Sequence, residues 1–201
     1  GTEKIAKFAF KYASTHCKDN ITCTTQSNNY IFSEIFNDIA KYFPDINHNA
    51  QSIESVIDGA IYNKENYDVL LTDNISSKFI TSLFASLSGN QMLNAVADIG
   101  NEYAMFQPAH SATNSSSGAN LANPSGMINA CVMMLDYMGQ NNAANIIYRA
   151  WLSVIKEGIH TTDIFNKNYS KEKVNCSEFT SAIIGKMHAE KVKPVISNQN
   201  N

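Results

Sequence analysis

"DVLLTDNISSKFITS", residues 68–82, decides the fold class. Its apolar run, Val69–Leu71, reads as a short buried strand. Thr72-Asp73-Asn74 reads as a turn, and the apolar spacing beyond it as a helix that Gly89 closes. A strand running through a turn into a helix is the unit of an α/β fold, which keeps its chemistry at the carboxyl ends of the strands. The helix here carries Lys78 and Ser82 where such a site would hold acids, while Asp73 and Asn74 read as the helix cap or the turn.

Working outward, "EKIAKFAFKYAST" (3–15) spaces Ile5, Phe8, Ala9 and Tyr12 as an amphipathic helix, and "NITCTT" (20–25) is rich in strand formers. "NYIFSEIFNDIAKYF" sets Ile31, Ile35, Phe36, Ile39 and Phe43 on one side before Pro44, and "QSIESVIDGAIYN" follows as a second helix. Beyond Gly89 comes a polar stretch with the Ser-rich loop "HSATNSSSGANLANPSG". An apolar helix starts after Pro124, a second ends at Gly158, and "CSEFTSAIIGKMHAEK" is the last. The expected division is a small subdomain over 1–88, a second over 89–188 and a flexible tail over 189–201.

The bulk properties exclude several classes. With 201 residues and 44% hydrophobic content the chain can fill a core, and soluble globular behaviour is the expectation. A net charge of −3 with scattered lysines offers no basic field for nucleic acid. No apolar run approaches the roughly 20 residues of a membrane span, and no secretory leader pattern opens the chain. Cys17, Cys23, Cys131 and Cys176 form no CxxC pair and read as reduced, structural thiols in a reducing compartment rather than as disulfides or zinc ligands. His16, His48, His160 and His188 show no ligand spacing, and Met133, Met134 and Met138 read as helix core filler. Arg149 is the single arginine, so the chain has few of the guanidinium forks that grip a di- or tricarboxylate.

"NEYAMFQPAHSATNSSSGANLANPSGMINACVMMLDYMG" (101–139) resembles the isocitrate/isopropylmalate dehydrogenase family. That family carries Phe-Glu-Pro-x-His-Gly-Thr-Ala-Pro, then Gly-Lys-Asn-Ile-Ala-Asn-Pro-Thr, then an apolar helix. The spacing from Phe106 to Pro124 fits without a gap. The likeness takes in nearly the whole chain but only the C-terminal half of the family's polypeptide. It implies an α/β architecture, a partial isopropylmalate dehydrogenase-like fold with a mixed sheet flanked by helices.

Residue by residue, the resemblance implies erased chemistry. The family uses a divalent cation, held by carboxylates, to polarise a 2-hydroxy acid. Two of its aspartates, one helical turn apart, correspond to Lys78 and Ser82; Asp58 corresponds to a third, lent across the dimer. The proton-transferring lysine corresponds to Gln26, which has no proton to exchange near neutral pH, while Asn28 is retained. His110, Gly118, Asn120, Asn123 and Asp163 match positions around the adenosine end of NAD. The Gly-Thr-Ala-Pro portion, however, has become Ser111, Ala112, Thr113 and Asn114, without the glycine that allows close backbone approach. As alternatives, Asp58 reads as a surface or interface acid, His110 as a loop-packing residue and Lys78 as an ion-pair partner or a solvated side chain.

The expectation is therefore an inactive dehydrogenase relative without metal or resident cofactor, residual NAD or adenine-nucleotide binding being the lesser possibility. Half of the family's fold leaves sheet edges and an apolar face to cover, which implies a protein partner. The helices at 30–43 and 52–63 are the expected association surface. The partner is another dehydrogenase-like chain or a large mitochondrial assembly of respiratory or ATP-synthase type. The alternative is a regulatory subunit of a heteromeric NAD-isocitrate dehydrogenase.

Overall fold

A computed structural model describes residues 1–25, 30–62, 67–110 and 118–191. The chain divides into two compact units, Gly1–Ser88 and Gly89–Asn201.

The first unit is built on a parallel sheet. Its elements are α1 (Thr2–Thr15), β1 (Asn20–Thr25), α2 (Tyr30–Ala40), β2 (Asn47–Ser52), α3 (Ile53–Tyr62), β3 (Val69–Thr72) and α4 (Asn74–Leu87). The strand order is β2-β1-β3, with Asn20 opposite Asn47 through Thr25 opposite Ser52, and Ile21 opposite Val69 through Thr24 opposite Thr72. Strand side chains alternate between faces. Ile21, Cys23 and Leu71 join Ala6, Ala9, Phe10, Ala13, Phe32, Phe36 and Ile39 in one buried core. Phe10 is its centre, its ring 5.3 Å from that of Phe36 and 5.1 Å from that of Phe43. The three alanines of α1 let that helix approach closely enough for Phe10 to reach them. Thr22 and Thr24 lie on the other face of β1, also buried.

The second unit comprises a 3-10 turn (Gln91–Leu93), β4 (Ala95–Ile99), β5 (Ala104–Pro108), α5 (Ser125–Tyr137), α6 (Asn141–Lys156), β6 (Ile159–Thr161), β7 (Glu172–Val174) and α7 (Cys176–Lys191). β4 and β5 form an antiparallel hairpin, Ala95 opposite Pro108, and β6 and β7 a parallel pair. α5 packs on the hairpin, α6 on α5 and α7 on α6. The core gathers Ala150, Trp151, Val154, Val174, Phe179 and Ile183. No described helix is long and apolar enough to cross a membrane.

The α/β class stands, with parallel and antiparallel pairing distributed over three small sheets among the described residues. Several expectations are corrected. α2 ends at Ala40, the chain then passing through turns toward Pro44. β2, β4, β5, β6 and β7 are strands where none was expected. α7 continues through Lys191, so the stretch from 189 to 191 is helix rather than tail. Met133, Met134 and Met138 are exposed, at 37%, 37% and 62%, and do not fill a core. The buried side of α5 consists of Ser125, Gly126 and Ala130, small residues that seat the helix closely and turn the methionines outward. All four cysteines are free thiols, but Cys17 and Cys131 are exposed and only Cys23 is buried.

Candidate functional site

The strand-to-helix junction in the first unit is held by Asp73. Its backbone is extended, and its Oδ1 accepts hydrogen bonds from the Ile75 and Ser76 amides at 3.0 and 2.9 Å. Oδ2 accepts from Ser76 Oγ at 3.0 Å. Asp73 is therefore the N-cap of α4, satisfying two of the amides that open a helix without intrahelical partners. Lys78 and Ser82 lie one turn apart on the exposed side of α4, in a stripe that begins at Asn74. Asp58 is exposed on α3. Gln26 and Asn28 fall outside the described residues, as do Ser111 to Asn114.

In the second unit the structure ties three of the five adenosine-end positions into hydrogen-bond networks. Asp163, just past β6, accepts from Asn90 Nδ2 at 2.8 Å and Asn123 Nδ2 at 2.9 Å on Oδ2, and from Thr161 Oγ1 at 2.6 Å on Oδ1. Asn123 is buried, and its Oδ1 accepts from the amide of Ser125, the first residue of α5, at 3.0 Å. Ser125 Oγ in turn accepts from the buried indole N–H of Trp151 at 2.9 Å. Asn120 holds a left-handed backbone, φ +55°, and reaches α7: its Oδ1 accepts from Ser177 N and Oγ, and its carbonyl from Cys176 N. Gly118, exposed with φ +76°, opens this turn, and His110 is half-buried just past β5. Ser177 completes the networks from the start of α7, and Asn90, Thr161 and Ser125, which were not singled out from sequence, complete them elsewhere. Nothing in their local spacing points to partners up to 73 positions away.

The family's sequence profile, described as isocitrate/isopropylmalate dehydrogenase, matches residues 1–183. The chain belongs to the isocitrate/isopropylmalate dehydrogenase family. It is 36% identical over 192 residues to an NADP isocitrate dehydrogenase of Rickettsia bellii, covering 93% of this chain and 40% of that protein. It is 31% identical to a mitochondrial NAD-isocitrate dehydrogenase regulatory subunit of Dictyostelium discoideum, covering 91% of this chain and 51% of that protein. Among solved structures, an isocitrate dehydrogenase from Methylococcus capsulatus superposes with a TM-score of 0.84 at 29% identity, over 92% of this chain and 56% of that one. The chain thus spans about half or less of the length of these relatives.

Family membership gives the geometry a context. The family is one of dehydrogenases, and its relatives include both NADP enzymes and a regulatory subunit. At the α4 positions the side chains present do not fit a divalent cation: an ammonium repels it and a serine hydroxyl adds no charge. At the second-unit positions, a nucleotide hydroxyl seeking Asp163 would compete with three internal donors already in place.

Proposed function

We propose that this chain is a non-catalytic member of the family, working as a structural or interaction subunit of a larger assembly in mitochondria. The observation that supports this best is the pair Lys78 and Ser82, exposed and one turn apart where the resemblance expects two metal-binding aspartates. An amphipathic fold kept intact around altered acids favours a role in contacts rather than turnover. The mitochondrial part rests on the relatives named as mitochondrial subunits, at 29 to 31% identity, beside Rickettsia ones at 34 to 38%. No resident metal or nicotinamide belongs to this reading. Purified chain with isocitrate, magnesium and either NAD or NADP is expected to form no reduced nicotinamide; turnover would overturn the proposal.

A second reading, a regulatory subunit of a heteromeric isocitrate dehydrogenase, is favoured by the Dictyostelium relative and by Asp58, retained and exposed on α3. Native electrophoresis with mass spectrometry of the band separates the two. A full-length dehydrogenase subunit in the band supports the second reading, and a large assembly without one the first.

A further inference from the structure

We propose that His160 and Ser170 form a proton-sensitive latch on the loop, 162–171, that joins β6 to β7. His160 is the middle residue of β6 and only 6% exposed, yet both of its ring nitrogens are bonded. Nε2 lies 3.0 Å from the carbonyl oxygen of Ile155, in the last turn of α6. Nδ1 lies 2.6 Å from Oγ of Ser170, near the end of the loop. Ser170 Oγ also accepts from the Asn166 amide at 2.9 Å.

These partners fix the state of the ring. A carbonyl oxygen only accepts, so Nε2 carries the proton, and in the neutral imidazole Nδ1 then accepts from the Ser170 hydroxyl. The hydrogen bonds therefore run one way, from the Asn166 amide through the Ser170 hydroxyl and the imidazole to the carbonyl of Ile155. A second ring proton reverses the central bond. Nδ1 would present an N–H to an oxygen that already receives one, the hydroxyl proton would lose its acceptor, and a cation would sit where little water reaches.

The charged groups on the elements packed against β6, which are α6, α7 and β7, lead elsewhere. At the end of α6, Glu157 is engaged by Lys186 of α7, and Lys156 beside it is exposed. Glu178 of α7 accepts from the Asn175 amide. On β7, Lys173 is opposite His160 in the register with its Nζ over the Phe165 ring, and Glu172 is exposed. In the loop, the Tyr169 ring meets the imidazole edge-on, centroids 6.1 Å apart. Asp163 bonds to Thr161, whose side chain leaves the opposite face of the strand. No carboxylate among the described residues bonds to the ring, so an imidazolium there is uncompensated. Acidification through the range in which imidazoles take up a proton therefore releases Ser170 and the turn that it closes with Asn166. The same loop carries Asp163 and its bonds to Asn90 and Asn123 at the other end.

The test is hydrogen exchange in the full chain, measured by magnetisation transfer from water at the Asn166 and Ser170 amides from pH 8 to pH 5, with the intrinsic pH dependence of exchange divided out. Protection is expected to fall about tenfold on acidification, the equivalent of one hydrogen bond lost, in step with the charging of His160 read from its ring ¹⁵N shifts. Those shifts should place the proton on Nε2 at pH 8. His160→Gln is expected to remove the pH response. Should that variant fold poorly, Ser170→Ala should leave the Asn166 amide equally unprotected at both pH values. The proposal is overturned by a proton on Nδ1 at pH 8, by protection unchanged at pH 5, or by a pH response that persists in a folded variant.

Discussion

Asn123 and Asp163, forty positions apart in the chain, are joined by a 2.9 Å hydrogen bond from Nδ2 to Oδ2. With Asn90 and Thr161 donating to the same carboxylate, one side chain ties together the start of the second unit, the loop before α5 and the exit of β6. Asp163→Ala would leave three donors without their acceptor, and should destabilise the chain by roughly 2 kcal/mol, with Asp163→Asn costing less because one oxygen remains. Urea unfolding of both variants measures this. Equal midpoints for parent and Asp163→Ala would show that the network contributes nothing.

The four thiols should differ sharply in reactivity. Burial pushes the Cys23 thiol up to about 11, the Asp73 carboxylate adds to the shift, and a hydrogen bond with Ser33 opposes it. The reactive species is the thiolate, so Cys23 should stay unmodified by iodoacetamide at pH 7.5 in the folded chain. Cys17 and Cys131, which are exposed, should react first and the half-buried Cys176 more slowly. Mass spectrometry of a timed labelling series reads the order, and early labelling of Cys23 would contradict the buried core around Phe10.

Gly59 and Tyr67 give a packing test in the first unit. A Cβ added at Gly59 would lie 2.1 Å from the Tyr67 hydroxyl oxygen and 3.0 Å from Cζ. Tyr67 is held by its bond to Gln51 and by an edge-to-face contact with Phe84, ring centroids 6.1 Å apart. Gly59→Ala should therefore cost about 1–3 kcal/mol despite alanine's better helix propensity. In the double variant with Tyr67→Phe the nearest clashing atom is gone, so part of that loss should return. A strictly additive cycle would mean the two residues do not touch.

The helices and the strands β1 and β3 were legible because their apolar spacing and β-branched residues agree with the final packing. β2 was not: "NHNAQS" carries no strand former, and it is a strand because β1 supplies a ladder for it. Met133, Met134 and Met138 misled for a related reason. On a helix apolar on several sides, spacing does not say which side is buried, and the small residues Gly126 and Ala130 settle it. At the candidate site, resemblance singled out Asn120, Asn123 and Asp163. That Asn123 pairs with Asp163 and Asn120 with Ser177 comes only from the fold.

Lys186 Nζ lies 2.5 Å from Glu157 Oε1, linking α7 to α6, and this hydrogen bond, with desolvation opposing it, holds the Glu157 carboxyl below the usual carboxylate range. A carboxyl with a lowered folded pKa stabilises above its unfolded value and loses that contribution as the pH falls through the folded one. Lys186→Ala should therefore lower the unfolding midpoint modestly at pH 7, and the gap from the parent should close below about pH 4. Because the pair is only partly buried, salt at pH 7 should narrow the gap as well. A gap constant from pH 7 to pH 3 would assign the effect of Lys186 to packing instead.

The sharpest test of the altered α4 positions is to write the acids back. Lys78→Asp with Ser82→Asp places two carboxylates one turn apart on an exposed helix side, and removes one positive charge while adding two negative ones. Hard divalent cations select oxygen donors of that charge, so manganese binding followed by its paramagnetic signal should strengthen about tenfold or more over the parent. Helix propensity changes little and Asp73 still caps α4, so the fold should survive the exchange. If the parent already binds manganese as tightly as the double variant, these positions never set the metal affinity of this chain and the non-catalytic reading loses its main support. If the double variant gains metal and, with isocitrate and NAD or NADP, also turnover, then the two substitutions alone had silenced the site.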